Sequence, residues 1–312
     1  MQDEIKRFEL VVSKIDTKAE FFFIKPDLSQ FSDFPPFFYD SVLNYSRVLL
    51  PLVLDVERVI YTDVDILHIK DISSFWAIDL KDKALGAVRD ITVNNLGNDI
   101  KDCEVFNIDP QEPYFNNGLM LMNLSRFREK SYSQKITEFI IKYPHLCRFH
   151  EQSAMNIILH DEILLLDPSF NALLTFNCDY EERFMAIEGM NSNLHFITSF
   201  KPWLFYNEDL PNLMYYSLID KLSLELNAPS FLLSKGKFAR NKRIASLLPC
   251  WFLLKGFIMH TIGNKDSAAR SFRVGEFWKE KIKYFHFMNM NTHRIQTVLE
   301  KWQHQIDKRL IN

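Results

Sequence analysis

Glycine is scarce in this sequence, and its scarcity limits how the chain can bind a phosphate. Only 8 of the 312 residues are glycine, whereas 28 are phenylalanine. The sequence contains neither a GxGxxG pattern nor a Walker-type loop, the two phosphate-binding loops that depend on glycine. If the chain binds phosphate groups, a metal ion and side chains must therefore hold them.

Cysteine is also rare, and a long apolar run is absent. The four cysteines are far apart and form no CxxC pair, so we expect reduced thiols and no cysteine-ligated metal. The charged N-terminal residues predict no signal peptide. The most apolar stretch, residues 247–258, is shorter than the about 20 residues that a membrane-spanning helix needs. We therefore expect a cytoplasmic protein.

Charge is distributed unevenly along the chain. The net charge is −3, and 47% of the residues are apolar, which is enough for a sizeable core. Residues 235–312 carry 16 basic and 5 acidic residues, a net of +11, which leaves −14 for the remainder. The basic run at 235–243 precedes an aromatic-rich apolar stretch, a pattern typical of contact with an anionic membrane surface. A basic helical subdomain packed on the acidic remainder is the alternative, and no nucleic-acid-binding module is recognised.

The hydrophobic pattern predicts strands that alternate with helices. Short apolar or β-rich runs, which predict strands, occur at residues 20–25, 58–62, 84–89, 118–124, 163–166 and 194–198. Helical patterns occur at residues 1–15, 41–54, 125–143 (with Ser125 as N-cap) and 152–159. This alternation favours an α/β fold with a mainly parallel sheet and helices on both faces. Ligands of such sheets bind at the carboxyl ends of the strands, where Asp63 and Asp90 lie.

The pattern changes to helices from about residue 212 onward. We therefore divide the chain into a main α/β domain at residues 1–234 and a basic helical C-terminal extension at residues 235–312. The uneven charge predicts that the extension is the part that meets a membrane surface.

The segment Tyr61-Thr62-Asp63-Val64-Asp65 carries the clearest chemical signal. Two carboxylates two residues apart, just past a strand, can turn toward one cation, and Mg²⁺ and Mn²⁺ prefer such oxygen ligands. A pair of solvated loop acids is the alternative. A phosphatase of the haloacid-dehalogenase type, with Asp63 as nucleophile, is a further interpretation. Such phosphatases usually have Thr or Val where this chain has Leu67.

The segment from His195 to Trp203 (HFITSFKPW) is the second signal. An imidazole can complete the coordination of an Mn²⁺-like ion. A lone histidine at the start of a strand is more often structural. The Lys-Pro-Trp in the same segment favours the ligand interpretation, because Lys201 can contact a diphosphate.

Seven segments occur in the order and spacing of a known family. They are YSR (45–47), YTDVDIL (61–67), GAVRD (86–90), YFNNG (114–118), HEQSAMN (150–156), FN (170–171) and HFITSFKPW (195–203). Together they resemble the family 8 glycosyltransferases, notably the bacterial lipopolysaccharide and lipooligosaccharide galactosyl- and glucosyltransferases. The resemblance covers about residues 1–206.

The resemblance implies a Rossmann-like GT-A fold and a retaining transferase that moves a hexose from UDP-galactose or UDP-glucose to a glycolipid or oligosaccharide acceptor. It implies Mn²⁺ or Mg²⁺ as cofactor, held by Asp63, Asp65 and His195. The resemblance further implies that five residues contact the donor: Arg47, Val64, Asn116, Asn117 and Lys201. It also implies that three residues lie at the reacting sugar: Asp90, Glu151 and Gln152. A lipid-linked acceptor would place the protein peripherally on the inner face of the cytoplasmic membrane.

The chain departs from the family pattern in three places. Family members begin with a strand, an acidic loop and a helix that form much of the uridine pocket, and we expect this nucleotide-binding unit to be missing here. Glu151 and Thr198 stand where family members often have Asp and Gly, which affects contacts to the donor. The alternative function is therefore a truncated or inactive member with only a binding role.

Overall fold

The structure is a computed structural model. It describes residues 20–32, 42–174, 184–185, 187–197, 201–203, 209–225 and 292–311, and the single positions 6, 9, 18 and 34. The predicted helix at 1–15 and most of the predicted extension at 235–312 lie outside the described residues. The chain forms two compact units, one of Phe22–Leu173 with Ser192–His195, and one of Met1–Phe21, Leu174–Asn191 and Phe196–Asn312.

Strands and helices alternate along the first unit. Its strands are β1 (Arg58–Thr62), β2 (Ile66–Leu67), β3 (Leu85–Arg89), β4 (Phe115–Asn123), β5 (Ile163–Leu166), β6 (Ala172–Leu173) and β7 (Leu194–His195). Its α-helices are α1 (Ser46–Val53), α2 (Ile72–Trp76), α3 (Leu96–Asp99), α4 (Leu124–Glu129), α5 (Tyr132–Lys142) and α6 (Glu151–Ile158). Short 3₁₀ turns occur at Ser29–Phe31, Leu43–Tyr45, Cys103–Phe106, Pro144–Leu146 and Pro168–Phe170.

The main sheet has the order β1-β4-β3-β5, and one reversed strand determines where its ends lie. Both β1 and β3 run antiparallel to β4, and β5 runs parallel to β3. Three of the four strands therefore share one direction, as a mainly parallel sheet predicts, but the reversal of β4 makes the pairing mixed. The reversal brings the beginning of β4 to the edge where β1 and β3 end. The smaller sheet, β2-β7-β6, is also mixed.

The core lies around the two central strands. All residues of β4 up to Met122 are buried, and so are the first four of β3, whereas β1 is only half-buried. Among the described strands only β4 pairs with β1. A central strand is covered on both faces, so β4 reads as a continuous apolar run at Leu119–Met122 instead of an alternating one.

Two predictions of local structure were wrong. The region 125–143 is two helices, because Ser131 adopts a left-handed conformation (φ 54°) that separates α4 from α5. The N-cap of α4 is Asn123, whose side chain accepts a hydrogen bond from the Arg126 amide at 2.9 Å. The run at 20–25 is not a buried strand: Phe22 is 79% exposed, and the described residues supply no strand that pairs with this segment.

The strands predicted at 58–62 and 163–166 are confirmed with those bounds, and the other predicted elements of the first unit are confirmed with shifted ends. The helix predicted at 41–54 begins as an α-helix only at Ser46, after the 3₁₀ turn at Leu43–Tyr45. The strand predicted at 194–198 comprises only Leu194–His195, and residue 198 lies outside the described residues.

The described part of the second unit contains two helices, α7 (Leu210–Glu225) and α8 (Thr292–Ile311). The indole nitrogen of Trp302 donates to the Met214 carbonyl at 2.9 Å, and Lys221 pairs with Asp307 at 3.1 Å. Buried residues recur every three or four positions along α8, as expected for one face of a helix: Ile295, Val298, Trp302 and Ile306. No helix among the described residues is long and apolar enough to cross a membrane.

Candidate active site

Four separate chain segments meet at one edge of the main sheet because of the strand directions. Asp63 follows the end of β1, and Asp90 follows the end of β3. Asn116 and Asn117 lie at the beginning of the reversed strand β4. The first turn of α6 begins with Glu151. The sheet therefore gathers polar side chains that are far apart in sequence.

A possible metal centre lies beside β1. Asp63, Asp65 and His195 each offer one ligand atom, and these three atoms lie within 4.8 Å of one another. Nε2 of His195 is 3.2 Å from Oδ1 of Asp65. The histidine side chain is only 5% exposed, whereas the two aspartates are 15% and 23% exposed. Two oxygens and one imidazole nitrogen are a donor set that suits Mn²⁺.

The missing side chain of Gly118 leaves room for this centre. A Cβ at this position would lie 2.3 Å from Cε1 of His195 and 3.0 Å from Oδ2 of Asp63. The Gly118 carbonyl also accepts a hydrogen bond from the Asp63 amide at 2.7 Å. The backbone of β4 therefore approaches both predicted ligands closely, and only glycine permits this approach.

The guanidinium of Arg47 joins the metal centre to α6. It is buried, and it contacts Oδ1 of Asp63 at 2.9 Å, Oδ1 of Asn117 at 2.6 Å and Oε1 of Glu151 at 3.4 Å. Burial opposes the charge of Arg47, but the Asp63 and Glu151 carboxylates raise its pKa above the ordinary value. Arg47 therefore carries a permanent positive charge between two acids.

Asp63 has a second fixed donor. The hydroxyl of Tyr61 donates to Oδ1 of Asp63 at 2.6 Å, and the same ring lies under Arg47 at 4.7 Å. Burial raises the pKa of the Tyr61 phenol well above its ordinary value, so the hydroxyl remains protonated. Val64, between the two acids, is 97% exposed. An apolar side chain in that position is available for contact with a ligand.

Glu151 is held on both of its oxygens. Oε1 accepts from Nδ2 of Asn117 at 3.2 Å, and Oε2 accepts from Nδ2 of Asn44. The other end of Asn44 is different, because its Oδ1 is buried and has no hydrogen-bond partner. An unpaired buried acceptor is unusual, because most buried polar atoms have a hydrogen-bond partner.

Asp90 lies at the centre of a buried amide network. Its Oδ1 accepts from the Thr92 amide at 2.8 Å, and its Oδ2 accepts from Nδ2 of Asn116 at 3.0 Å and Nε2 of Gln152 at 3.5 Å. Oε1 of Gln152 in turn accepts from the Asn117 amide at 3.0 Å. These side chains are therefore oriented by one another before any ligand arrives.

Asn171 connects this network to the metal centre. Its Nδ2 donates to Oδ1 of Asn116 at 2.9 Å, and its Oδ1 lies 3.0 Å from Nδ1 of His195. Asn171 is 1% exposed. The path from Asp65 through His195, Asn171 and Asn116 to Asp90 is thus continuous.

Lys201 belongs to the second unit. Its Nζ donates to the carbonyl of Phe196 in the same unit. Its contact with a diphosphate therefore stays a prediction, whereas the other ten predicted site residues all lie in the first unit.

The family of this chain follows from a comparison with known proteins. The family model described as "Glycosyl transferase family 8" matches residues 1–207. The chain belongs to glycosyl transferase family 8. The matched residues include the whole first unit and extend to Trp203, so the family assignment covers every predicted site residue.

Curated relatives match part of this family 8 chain. General stress protein A of Bacillus subtilis is 28% identical over 175 residues, which are 54% of this chain and 58% of that protein. Glycosyltransferase GlyF of Streptococcus pneumoniae is 26% identical over 168 residues, which are 53% of this chain and 38% of that protein. The chain thus spans less than two thirds of the length of these relatives.

Solved structures place the family 8 chain among GT-A folds. An active-site mutant of LgtC superimposes with a TM-score of 0.55 at 20% identity, covering 70% of this chain and 80% of that one. The galactosyltransferase LgtC in complex with donor and acceptor sugar analogues gives a TM-score of 0.53 over the same shares. At this identity the likeness shows the fold.

Three residues with a clear place in the site had no role in the sequence-based prediction. Gly118 and Asn171 lie within segments quoted for the family resemblance, YFNNG and FN, but a motif letter does not reveal which neighbour a residue contacts. Asn44 precedes the YSR segment and gave no signal. Its position beside Glu151 depends on a contact across 107 residues.

Proposed function

We propose that the chain is a retaining hexosyltransferase that moves galactose or glucose from a UDP-sugar to an acceptor of the lipopolysaccharide or lipooligosaccharide type. The observation that supports the proposal most strongly is the convergence of Asp63, Asp65 and His195 in the space that Gly118 leaves free. A phosphate-binding protein without a glycine-rich loop needs such a centre.

These three residues would hold Mn²⁺ or Mg²⁺. Both ions accept carboxylate oxygens, and Mn²⁺ also accepts imidazole nitrogen. When bound, the ion would supply positive charge at the leaving diphosphate. Arg47 lies 2.9 Å from Oδ1 of Asp63, so it orients that ligand and adds a fixed positive charge at the same side of the site.

The amide network provides the other half of the chemistry. Breaking the bond between sugar and phosphate develops positive charge on the sugar. Asp90 is 3% exposed, and its carboxylate would stabilise that charge in a site that excludes water. Gln152 is too weak to act as a nucleophile, and its fixed amide would orient sugar hydroxyl groups. Glu151 would do the same from the first turn of α6.

The partners follow from the same proposal. Lys201 would contact the diphosphate, and Val64, Asn116 and Asn117 would contact the donor. The basic segment 235–312 would hold the protein at the anionic inner surface of the cytoplasmic membrane, near a lipid-linked acceptor. A member of the family with only a binding role is the alternative.

Hydrolysis of UDP-galactose and UDP-glucose with Mn²⁺, together with calorimetric UDP binding, tests the proposal. Asp63→Asn should lower turnover by about 100-fold or more, because it removes a charged ligand at the developing negative charge. The matched control is Asp55→Asn, which makes the same change at an exposed acid in the same unit. The control should keep wild-type turnover.

Three outcomes would contradict the proposal. UDP binding without any turnover would favour the binding role. Hydrolysis of a simple phosphomonoester that Asp63→Asn abolishes would favour the phosphatase interpretation. If the chain does not bind UDP with or without Mn²⁺, the proposed activity is wrong, and family membership reflects common ancestry alone.

A further inference from the structure

Asn171 contacts both halves of the site through one buried side chain. It follows the 3₁₀ turn Pro168–Phe170, directly before β6, and is 1% exposed. Its two polar atoms lie 2.9 Å from Oδ1 of Asn116 and 3.0 Å from Nδ1 of His195. The sheet pairing of β6 with β7 places it beside His195.

The orientation of each side-chain amide in this path is fixed by a neighbouring group that can only donate, or only accept, a hydrogen bond. The backbone N–H of Gly118 can only donate, and it lies 3.0 Å from Asn116, so the atom it contacts is the Asn116 oxygen. The Asp90 carboxylate accepts from the other end of the same amide at 3.0 Å. The oxygen of Asn116 must then accept from the NH₂ group of Asn171, which leaves the Asn171 oxygen facing His195.

The tautomer of His195 follows from that orientation. Because an oxygen faces Nδ1, the imidazole carries its proton there and donates it to Asn171. The lone pair of Nε2 then faces Oδ1 of Asp65 at 3.2 Å. A cation between these two atoms, either a proton or a metal ion, would remove the repulsion between them, and a histidine whose other nitrogen is fixed by a hydrogen bond is a typical metal ligand.

We propose that Asn171 is a positioning residue that fixes the His195 tautomer for the cation and, through its NH₂ group, fixes Asn116 beside Asp90. The cation and the donor sugar in this inference rest on the proposed function. One side chain thereby couples the metal centre to the sugar side of the site.

The first test reads the tautomer directly in metal-free protein by ¹⁵N NMR of labelled histidine, at about pH 8.5, where an ordinary imidazole is neutral. His195→Asn identifies the resonance. The wild type should show the Nδ1–H tautomer. Asn171→Leu removes the acceptor and should shift the population toward Nε2–H.

A matched control lies two residues before His195. Asn193 is also fully buried, but its Oδ1 accepts from the Ile69 and Lys70 amides and its Nδ2 donates to the Phe170 carbonyl. Asn193→Leu removes a buried amide of the same size without touching the imidazole. It should lower the unfolding temperature and leave the tautomer unchanged, so a general loss of stability is distinguished from positioning.

The second test separates the two ends of the Asn171 amide. Asn171→Asp keeps an acceptor for Nδ1–H but cannot donate to Asn116. It should retain Mn²⁺ affinity within about threefold and weaken binding of UDP-galactose about tenfold, within the range for outer-shell changes. Asn171→Leu should weaken Mn²⁺ binding by about 10- to 100-fold. Both affinities are measured by calorimetry on folded protein.

The outcomes separate this inference from the proposed function. A tautomer shift in Asn171→Leu but not in Asn193→Leu supports the inference even if the wild type transfers no sugar, a result that would contradict only the proposed function. An Nε2–H tautomer in the wild type would overturn the inference. Unchanged tautomer and Mn²⁺ affinity in Asn171→Leu would also overturn it.

Discussion

The two halves of the site differ in how far their side chains are exposed to solvent. We call Asp63, Val64 and Asp65 the acid edge, and Asp90, Asn116, Asn171 and Gln152 the amide network. The acid edge is partly open, with Val64 97% exposed and Asp63 23% exposed in its side chain. Asp90 and Asn171 in the amide network are 3% and 1% exposed. One half of the site is therefore open to solvent, and the other is enclosed by protein.

This difference has a physical cause in the sheet. The acid edge follows β1, a half-buried strand, whereas the amide network surrounds the beginning of β4, which is buried on both sides. A deeply buried polar group must find a protein partner, so the network has to be mutually satisfied. The acid edge is partly open to solvent, so its carboxylates do not depend on protein partners alone.

Removing the charge that joins the acid edge to α6 should have the largest effect. Arg47→Met leaves the Asp63 and Glu151 carboxylates without their buried partner, which typically costs about 3–5 kcal/mol. The free energy of unfolding, measured in urea, should fall by that amount. Arg47→Lys keeps the charge and loses only the planar contact, so it should lose less. If both variants lose the same free energy of unfolding, the charge of Arg47 does not contribute to stability.

Filling the space between β4 and the metal centre should have the next largest effect. Gly118→Ala places a Cβ 2.3 Å from His195 and 3.0 Å from Asp63, and overpacking of this kind costs about 1–3 kcal/mol. Mn²⁺ affinity should fall at least about tenfold, while the unfolding transition stays cooperative. Gly189→Ala is the control, because the nearest atom to its Cβ is 3.7 Å away. Wild-type Mn²⁺ affinity in Gly118→Ala would refute the proposed centre.

Removing one hydroxyl from the acid edge should have the smallest effect. Tyr61→Phe deletes the 2.6 Å hydrogen bond to Asp63 and leaves the contact between Arg47 and Asp63 in place. Stability should fall by about 0.5–1.5 kcal/mol, and Mn²⁺ affinity should change only a few-fold. Tyr143→Phe, in a tyrosine of the aromatic cluster with Phe106 and Phe139, is the control. A loss as large as that of Arg47→Met would mean that the hydroxyl, and not the charge, holds Asp63.

The acid edge could be predicted from sequence because its signal is local. A β-rich run followed by two acids predicts both a strand and its carboxyl end, and the strand indeed ends at Thr62. His195 required the additional knowledge of a family pattern. Two acids and a histidine in these positions are residue types typical of a metal site.

In the amide network, the family resemblance named Asp90, Asn116 and Gln152, but Asn171 could not be predicted, because its role depends on its contacts. Asparagine is common in turns and loops, so neither Asn171 nor Asn44 stands out along the chain. The break at Ser131 escaped prediction for a related reason: the apolar periodicity continues from α4 into α5, and only the backbone angle shows the interruption. The apolar run near Phe22 has the composition of a strand, but no strand among the described residues pairs with it.

The long sequence separation between β2 and β7 sets the order in which the site forms during synthesis. Ile69 and Asn193 are hydrogen-bonded at 3.0 Å and are 124 residues apart. A ribosome adds about 5–20 residues per second, so β2 waits on the order of ten seconds for the strand that pairs with it. Until His195 has left the ribosome, the nascent chain carries two acids without the third member of their cluster.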